Sequence, residues 1–568
     1  MAHDTNSQDD ALNGETPDTR DASIETSNYE IIRRRLIDQG REIADRADAL
    51  NAGRQEFFGA TTMEVVGSET VTTPDNCIPR DIVDLGDRLL FGYQLSRKKT
   101  SMSVDAVFSL HRFARDGDSF ELHHLPEDAS ENFLSAPAFQ SDFDTLYFSY
   151  TNAFLRQLRR PRDREEKLFA VFQTGTSLSD TRVLHWDVSV DHQVRFVDSA
   201  GAALNTRRLP YDFEWVKTGR DQHVMGRHPH INILDTIFVE TVGGDLTIKI
   251  EDNTEDGQGI YSEDDLSDRN QSLGDADISY ASVGDLILLR IKPYREDDFR
   301  YLVFNRLTRD VRRVDAIGLS CITLPELQGI IFPGGFVLAS GEVKLFEADA
   351  TGMRLEDVRS SPNGEDVLYV FYREEDGQYL LLSYNVIRKE IQNPILCHGY
   401  SVFEDGLMLV LRWTGERATQ IHPMQIWRTP YVSERHAAQA PRDGSFMSRI
   451  GNPDLVRGIS DAIALRRMIE RQSPTAEIYT AIMGAAERMT DLYHWLGEDE
   501  AGGLGESARA IARTARLVIE EFEKVRSMRE AAREAIEDAQ RDQTRLLADT
   551  RNANWREVGD YVEAIAST

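Results

Sequence analysis

The 568-residue sequence has little lysine, almost no cysteine and no long apolar run. It contains nine lysines and 56 arginines, a ratio typical of a GC-rich or salt-adapted bacterial source. Cys77, Cys321 and Cys397 lie far apart without CxxC spacing, which argues against a disulfide framework and a cysteine zinc site. No segment reaches the roughly 20 apolar residues of a membrane helix, and the first residues lack the basic start and apolar core of a signal peptide. We therefore expect a cytoplasmic protein without a membrane span.

The sequence also lacks the short motifs that mark common catalytic sites. A phosphate-binding P-loop requires GxxxxGK[ST], and none of the nine lysines follows a glycine. The nucleophile motif GxSxG, the zinc motif HExxH and a dinucleotide-binding GxGxxG that opens a helix are missing as well. ATP hydrolysis by this chain alone is therefore not expected.

The sequence is poor in basic charge. It contains 96 acidic residues and 65 lysines and arginines, which gives a net charge of −31. A field of this sign repels the phosphates of DNA unless arginines cluster locally. The length exceeds the usual size of one domain, and the 40% of hydrophobic residues can fill more than one core. At least two domains are expected.

The N-terminal residues divide into a tail and a helix. Residues 1–27 are polar and acidic, with too few apolar side chains to repay the entropy of ordering, and they are expected to be disordered. In residues 28–53, apolar side chains such as Ile32, Leu36 and Ile43 recur at helical spacing among charged ones. This spacing predicts an amphipathic helix.

Between residues 60 and 432 one module recurs: an acidic or glycine lead-in, an apolar strand, a polar turn and a second strand. Modules that cannot bury both faces alone usually stack. The predicted fold is therefore a mainly β N-terminal part, with β-propeller-like antiparallel repeats forming about five to seven blades, and a sandwich or stacked barrels are the rival arrangements. The clearest strand pairs are GDRLLFGYQ (86–94) with DAVFSLHRF (105–113), EEKLFAVFQ (165–173) with TRVLHWDVS (181–189), GDLILLRI (284–291) with FRYLVFNRL (299–307), EDVLYVFYR (365–373) with QYLLLSYNV (378–386), and EDGLMLVLR (404–412) with QIHPMQIWR (420–428).

Residues 450–568 predict an α-helical, coiled-coil-like C-terminal part. Alanine, glutamate and arginine dominate there, and an apolar stripe runs from Ile511 to Leu546 without glycine or proline. Because the stripe drifts between spacings of three and four, a helical hairpin fits as well as a coiled-coil arm. The last stretch reaches Thr568 without a stop signal, so the arm is expected to be truncated.

The densest polar stretch, from Thr218 to Asp265, is the first candidate site. Arginine pairs oxyanions in bidentate fashion, so this stretch is expected to bind an anion or a partner carboxylate. The same histidines would bind a metal only if three or four ligands converged, and structural histidines at a strand edge are the other interpretation. The candidate anion-binding or partner-binding residues are Arg220, His223, Arg227, His228 and His230.

The acidic segment just downstream fits the spacing of a calcium-binding loop. Asp252, Thr254, Asp256 and Glu263 stand at positions 1, 3, 5 and 12 of that template, with Gly257 at position 6. The preceding LTIKI indicates a strand instead of the usual entering helix. The segment is therefore either a calcium site between strands or a solvated acidic turn.

The third candidate is a basic patch in RQLRRPRDREEK (156–167), formed by Arg156, Arg159, Arg160 and Arg162. In an acidic chain this patch is the best local candidate for contact with phosphates or with an acidic partner, and a solvated loop is the alternative. No aromatic residues are interleaved for base stacking. Direct DNA binding would depend on these arginines and should be abolished by salt.

Several blocks of the sequence point to a known family. They are YEIIRRRL, NAGRQEFFG, NCIPRDIVDLGDRLLFGY, SDTRVLHWDV, GRHPHINILDTIFVETVGGDLTIKIEDNTEDGQGIYSE, VGDLILLRIKPYREDDFRYLVFN and QGIIFPGGFVL. Together they resemble the N-terminal region of the large bacterial DNA repair ATPases, from about residue 29 to the C-terminus. In that family the region precedes a long helical arm and a C-terminal AAA-type ATPase module. The resemblance implies ATP and Mg²⁺ for a complete member, but no nucleotide-binding residue can be carried over to this chain.

Two functions follow from these observations. The first is a non-catalytic interaction or regulatory portion of a DNA repair-type AAA ATPase, whose partner is a protein or the ATPase module, with self-association through the helical arm. The alternative is a β-propeller enzyme or metal-dependent binding protein that uses the 220–263 stretch. No cofactor is expected in this chain, calcium at the acidic loop excepted.

Overall fold

The structure is a computed structural model, and its contacts divide the chain into two units. Residues 1–48 and 461–568 form a helical unit, and residues 49–460 form a β unit. Each unit is described by itself. The structure describes residues 17–58, 62–95, 102–117, 119–161, 166–199, 209–264, 266–268, 270–347, 349–412, 415, 417–437, 444–470 and 475–552.

The β unit is built from short strands joined by turns. Thirty strands are assigned in the described residues: β1 (Glu64–Asp84), β2 (Arg88–Leu95), β3 (Phe108–Asp116), β4 (Ser119–His124), β5 (Phe154–Arg159), β6 (Lys167–Gln173), β7 (Thr181–Val188), β8 (Val194–Asp198), β9 (Val216–Lys217), β10 (His223–Val224), β11 (His230–Ile233), β12 (Ile237–Glu240), β13 (Asp245–Lys249), β14 (Tyr261–Asp264), β15 (Asp277–Val283), β16 (Leu286–Lys292), β17 (Arg300–Asn305), β18 (Asp310–Arg313), β19 (Ile322–Thr323), β20 (Gly329–Phe332), β21 (Gly335–Leu338), β22 (Val343–Leu345), β23 (Arg354–Ser360), β24 (Asp366–Arg373), β25 (Gln378–Asn385), β26 (Glu390–Ile391), β27 (Ile395–Cys397), β28 (Tyr400–Val402), β29 (Leu407–Leu411) and β30 (Thr419–Arg428).

Most helices lie toward the C-terminus. The first is α1, which begins at Pro17 and therefore includes residues 17–27 of the segment expected to be disordered. Proline suits the first turn of a helix, because the amide hydrogen that it lacks would have no partner there. Residues 1–16 of the predicted tail lie outside the described residues. The helices are α1 (Pro17–Phe58), α2 (Pro137–Ser149), α3 (Glu434–Ala437), α4 (Phe446–Ile450), α5 (Asn452–Ile469), α6 (Ala476–Leu492) and α7 (Leu504–Asn552).

The named strands form six sheets in which each pair of neighbouring strands is antiparallel. The orders are β28-β29-β30-β1-β2-β3-β4, β5-β6-β7-β8, β10-β11-β12-β13-β14, β18-β17-β16-β15-β9, β19-β20-β21-β22 and β23-β24-β25-β26, with β27 also paired to β25. The mainly β, antiparallel character predicted from the sequence is confirmed. All five quoted strand pairs are adjacent antiparallel strands in these sheets.

Strand β1 joins the two ends of the β unit. Its first half, Glu64–Thr72, pairs with β30, and its second half, Cys77–Asp84, pairs with β2. The register shifts between Thr72 and Cys77, where one partner strand replaces the other. The first and last strands of the β unit thus lie in the same sheet.

Apolar clusters join most of these groups of strands to a neighbouring group. Strands β1–β4 pack on β5–β8, and β10–β14 pack on β15–β18, which in turn pack on β19–β22. Strands β19–β22 pack on β23–β27, and these pack on β28–β30. Finally, Met424 and Ile426 of β30 pack with Leu89 and Phe91 of β2, although β30 and β2 belong to one sheet. The seven-stranded sheet therefore folds back so that its two ends pack against each other.

Gly334 and Gly335 lie where the chain turns from β20 to β21. At Gly335 the backbone passes so close to β22 that a Cβ atom would lie 2.1 Å from the carbonyl oxygen of Lys344. Only glycine fits this approach without moving the backbone. The glycine therefore serves strand packing here.

The three cysteines are buried and form no disulfide. Burial raises the pKa of the Cys77 thiol to about 11 and that of Cys397 to about 12. Because the thiolate is the reactive form, these thiols are poor nucleophiles at neutral pH.

The helical unit is held by apolar faces of α1, α6 and α7. Tyr29 of α1 shares a hydrogen bond of 3.0 Å with Tyr479 of α6. Both tyrosine rings lie 5.9 Å from the ring of Phe522 on α7. The end of α5 joins the same core, because Ile469 packs against Gly40. No described helix is both long and apolar enough to cross a membrane.

The second half of α7 is an exposed arm. From Arg529 to Arg545 each residue is exposed, including Ile536 of the predicted apolar stripe. Ion pairs three or four residues apart line this arm, such as Arg533 with Glu537 at 3.1 Å. A helix that is polar all round is stabilised by such pairs. The predicted coiled coil stays a prediction.

Candidate functional site

The 220–263 stretch forms the sheet β10–β14, whose polar side chains pair with one another. His228 Nδ1 lies 3.0 Å from Oε1 of Glu240, and His230 Nε2 lies 2.9 Å from Oδ1 of Asp252. His230 is fully buried, with its ring edge against Phe238. The two histidines on either side of Pro229 thus contact different carboxylates. They do not converge on one position.

A buried lysine organises the acidic loop that follows. Lys249 of β13 is 2% exposed, and its ammonium lies 2.7 Å from Oε2 of Glu240. It also donates to the carbonyl oxygens of Asp256 at 2.8 Å and Asn253 at 3.3 Å. The loop therefore folds around a positive charge that the chain itself supplies.

The predicted calcium ligands Thr254, Asp256 and Glu263 each have partners within the chain. The carbonyl of Thr254 accepts from the His228 amide, and the Asp256 carboxylate accepts from Asn253 and Gln258 within its own turn. Glu263 lies on β14 and pairs with Arg300 and Arg313. The described residues contain no group of three or more histidine, cysteine, aspartate or glutamate side chains arranged to hold a metal ion.

The remaining anion-binding candidates lie at the start of this sheet. His223 is half-buried in β10, paired with Ile231 of β11. Arg220 and Arg227 are exposed, so their side chains remain accessible to an anion. Anion binding at these residues stays a prediction.

We expect Lys249→Met to lower the free energy of unfolding by about 3–5 kcal/mol, because Glu240 would be left buried without its cation. Urea denaturation measures this loss. Lys217→Met is the control, because Lys217 is 70% exposed and its pair with Asp277 is worth less than about 1 kcal/mol. Equal stability losses in the two variants would contradict the assigned role of Lys249.

Three arginines of the predicted basic patch have partners within the chain. Arg156 is 7% exposed, and its guanidinium lies 2.8 Å from Glu374. Arg159 lies 2.6 Å from Glu356, and Arg160 donates to the carbonyl of Asp84 at 2.8 Å. The first two arginines belong to strand β5, and their acidic partners are Glu374, which directly follows β24, and Glu356 of β23. Arg162 lies outside the described residues.

These arginines are part of a buried cluster that we call the polar hub, where side chains of three strand groups meet. Gln157 donates to the Tyr379 hydroxyl at 2.8 Å and to Glu356 at 3.2 Å. Tyr379 donates in turn to Asp81 at 2.9 Å. The hub residues are Arg80, Asp81, Arg156, Gln157, Arg159, Glu356, Glu374 and Tyr379.

Burial shifts the pKa values of several ionisable side chains in the polar hub. Asp81 is 2% exposed, and burial raises its pKa well above the usual range, although the amides of Ile82 and Leu158 donate to its carboxylate. Burial also raises the pKa of Glu356 and lowers that of Arg80, whose guanidinium lies over the Phe154 ring. Perturbed pKa values mark both catalytic sites and structural ion-pair networks. Within the hub Arg156 pairs with Glu374 and Arg159 pairs with Glu356, which fits a structural network between β5 and β23–β25.

A second buried charge cluster lies where the last turn of α1 meets β24. Arg54 is fully buried and pairs with Glu365, next to Asp366. Burial, followed by the charge of Glu365, raises the pKa of Asp366 to about 7. Asn385 donates to Asp366 at 3.0 Å, which opposes this shift.

The raised pKa of Asp366 predicts a pH dependence of stability. Its protonated form favours the folded state, so this contribution is present below about pH 4 and is lost as the pH rises toward 7. We expect Asp366→Asn to exceed the parent in unfolding free energy by about 2–4 kcal/mol at pH 8 and to match it near pH 4. Urea denaturation across this range is the measurement. A stability difference that does not change with pH would contradict the assignment.

Sequence reasoning missed the polar hub and the Arg54 cluster. The available signal was a charged pair inside an apolar strand, Arg80 and Asp81 in NCIPRDIVDLG. Lys249 within LTIKI gave the same signal. A charge at an inward position of a strand indicates a buried partner.

Comparison with known proteins gives the following similarities. No curated protein matches the chain. It is similar to the solved AfRom2 CNH domain at 10% identity, covering 64% of this chain and 98% of that one with a TM-score of 0.20. It is also similar to the β-propeller domain of the Trilobed protease from Pyrococcus furiosus, at 10% identity, 62% and 93% coverage and a TM-score of 0.19. An oligogalacturonate lyase in complex with manganese follows, at 12% identity, 64% and 78% coverage and a TM-score of 0.13. TM-scores this low carry no argument about fold or activity.

The family comparison covers most of the chain. A family model described as "ATPase involved in DNA repair" matches residues 42–494. The match includes the whole β unit from Ala49 to Ser460, together with α5 and α6. Because the match spans well over half of the sequence, the chain belongs to this family of ATPases involved in DNA repair.

Proposed function

We propose that this chain is the non-catalytic interaction and regulatory portion of a DNA repair-type AAA ATPase. The proposal rests on one observation. The chain belongs to a family of ATPases, and its 568-residue sequence does not contain the P-loop motif GxxxxGK[ST]. Without that lysine and its glycine loop, the chain has no recognisable cradle for nucleotide phosphates. In the polar hub, Arg156 and Arg159 are paired with Glu374 and Glu356.

We propose further that the β unit is a seven-bladed propeller. Splitting the seven-stranded sheet within β1 gives seven groups of strands, each packed on a neighbour in chain order. The N-terminal half of β1 then completes the last blade beside β30, and its C-terminal half begins the first blade. A propeller of this kind offers a rigid platform whose loops bind partners.

The exposed half of α7 supports a connecting role in this proposal. An α-helix rises 1.5 Å per residue, so the 49 residues of α7 span roughly 70 Å. Paired charges along its exposed half keep such a helix extended without a partner. We assign it as the spacer toward the ATPase module or a second copy of the chain, in the cytoplasm.

A metal-dependent or enzymatic role of the 220–263 stretch has less support. His228, His230 and Lys249 are already paired with carboxylates. Glu263 is paired with two arginines of the neighbouring sheet. Metal binding there would require these ion pairs to break.

The proposal is tested by mixing the purified chain with the AAA-type ATPase module of a complete family member. We expect the chain to co-elute with the module in gel filtration and to change its rate of ATP hydrolysis. A chain truncated after Met528, which lacks the exposed arm, is expected to lose this effect while its β unit stays folded. Unchanged elution and an unchanged hydrolysis rate with the full chain would contradict the proposal.

A further inference from the structure

One short segment of the β unit covers the free edge of a sheet and part of the next sheet, and we call this segment, residues 210–218, the strap. Near its end, Val216 and Lys217 form β9, which pairs with β15 at the edge of the sheet β18-β17-β16-β15-β9. Near its start, Tyr211 forms a parallel bridge with Cys321, which lies just before the edge strand β19. Without the strap, β15 would become an edge strand, and its unpaired backbone groups would be open to another strand.

The strap is held by short pairings. The Cys321 amide donates to the Pro210 carbonyl at 2.8 Å. The Asp212 carboxylate accepts from the Thr323 amide at 3.0 Å and from the Thr323 hydroxyl at 3.1 Å. On its other side, by contrast, β15 pairs with β16 along its whole length. Because a short pairing opens at a lower free energy than a long ladder, the strap is expected to open while the rest of its sheet stays closed.

Aromatic and acidic residues alternate along the strap. Tyr211, Phe213 and Trp215 are half-buried and pack on the apolar cluster between β15–β17 and β19–β22. Asp212 and Glu214, between them, are exposed. This alternation is that of an extended chain with one face on a surface. The strap therefore lies in its groove as a bound peptide would, with the three aromatic side chains as anchors.

Arg290 of β16 supplies a cation to these aromatic rings. Its guanidinium lies 5.3 Å from the centre of the Trp215 ring and 5.0 Å from that of the Phe299 ring. However, Nε of Arg290 and Nε1 of Trp215 are buried without an acceptor within the described part of the chain. A buried donor without an acceptor weakens the contact that buries it. The strap thus fits its groove incompletely, which favours its exchange for another segment.

We propose that the groove covered by the strap is a peptide-binding site, and that a partner segment displaces the strap by adding a strand to β15. The strap itself indicates the chemistry that the groove accepts, which is an extended peptide with aromatic residues at alternate positions and acidic residues between them. The aromatic rings of the partner pack beside Arg290, and its backbone pairs with Ser279 and Tyr280 as β9 does. This site belongs to the β unit alone, so it does not depend on the presence of an ATPase module.

The test is a fluorescence anisotropy titration of the full chain into a labelled peptide with the strap sequence, PYDFEWVKT. In the parent, the tethered strap competes at an effective concentration of about a millimolar, so the peptide binds weakly. The double variant Tyr211→Ala, Trp215→Ala removes two anchors of the strap, and we expect it to bind the peptide about tenfold more tightly than the parent. The matched control is Phe148→Ala, which removes an aromatic side chain that is 89% exposed outside the groove, and it should bind as the parent does.

A second peptide of the same composition, in which the three aromatic residues are adjacent, tests whether the alternation is required. We expect it to bind the double variant about tenfold more weakly than the strap peptide does, because its rings cannot all face the groove. Equal binding of the two peptides would contradict the proposal. A folded double variant that does not bind the strap peptide would contradict it as well, and far-UV circular dichroism establishes that the variant is folded.

Hydrogen exchange of the parent chain tests the same proposal without any variant. The amides of Cys321 and Thr323 donate to the strap, so they become accessible whenever the strap opens. We expect them to exchange about tenfold faster than the amides of β16, which lies between two paired strands. Exchange as slow as that of β16 would overturn the proposal, because the strap would then open only together with the sheet that it covers.

Discussion

Arg54→Ala is expected to lower the free energy of unfolding of the β unit by about 3–5 kcal/mol. Arg54 is fully buried and pairs with Glu365, while it donates to Asn51 and Asn452, each at 2.8 Å. Removing the guanidinium leaves the Glu365 carboxylate buried without a cation. The same change releases the last turn of α1 and the start of α5, which this side chain joins.

Urea denaturation measures the effect, with Arg41→Ala as the matched control. Arg41 is also an arginine of α1, but it is 62% exposed and its pairs with Asp38 and Glu470 are long. We expect the control to lose less than about 1 kcal/mol. Adding Glu365→Gln to Arg54→Ala should restore part of the loss, because the unpaired charge is then removed. A loss below about 1 kcal/mol in Arg54→Ala would refute the account of this cluster.

Deletion of Glu64–Thr72 is expected to abolish cooperative folding of the β unit. This half of β1 supplies the ladder partner of β30. It also contributes Val71, which is 1% exposed, to the apolar cluster that contains Met424 and Ile426. Loss of a whole strand costs more than about 5 kcal/mol, which is comparable to the total stability of a typical domain.

Near-UV circular dichroism and the urea transition monitor the β unit in this deletion variant. The matched control is truncation after Met528, which removes the exposed arm and no residue of the β unit. The control should show the parent's transition for the β unit. If the strand deletion also unfolds like the parent, β1 does not close the β unit as described.

Local sequence patterns were sufficient to predict much of the β unit. Strands β6 (Lys167–Gln173) and β16 (Leu286–Lys292) are mostly apolar segments of strand length that lie between turns. Their antiparallel pairing follows from the short turns between them. The group β10–β14 was not predicted as a repeat, because its strands have only two to five residues and carry histidines and charges.

The buried charges were beyond local reasoning, because their partners are distant in sequence. Asp81 meets Tyr379, and Arg156 meets Glu374, across different groups of strands. RQLRRPRD was predicted to contact phosphates or an acidic partner because the count of arginines did not consider that Phe154–Arg159 is a strand. A charge inside a strand indicates that a buried partner exists, and only the fold shows which residue that partner is.

In the helical region, the apolar pattern continues further along α7 than the burial does. The apolar stripe from Ile511 onward correctly predicts a helix with one buried face. In α7 this face is buried as far as Val525, which is 7% exposed. Beyond Met528 the same stripe continues weakly through Ile536, yet the helix is exposed. Periodicity alone does not state whether a partner covers a face.

Our central proposal is that this chain, although it belongs to an ATPase family, contains no catalytic centre for ATP. The most direct measurement is phosphate release from Mg²⁺ and ATP by the highly purified chain alone. The account predicts a rate equal to that of the protein-free blank. Turnover above the blank that disappears when a residue of this chain, such as Asp81 or Arg159 of the polar hub, is substituted in a folded variant would contradict it.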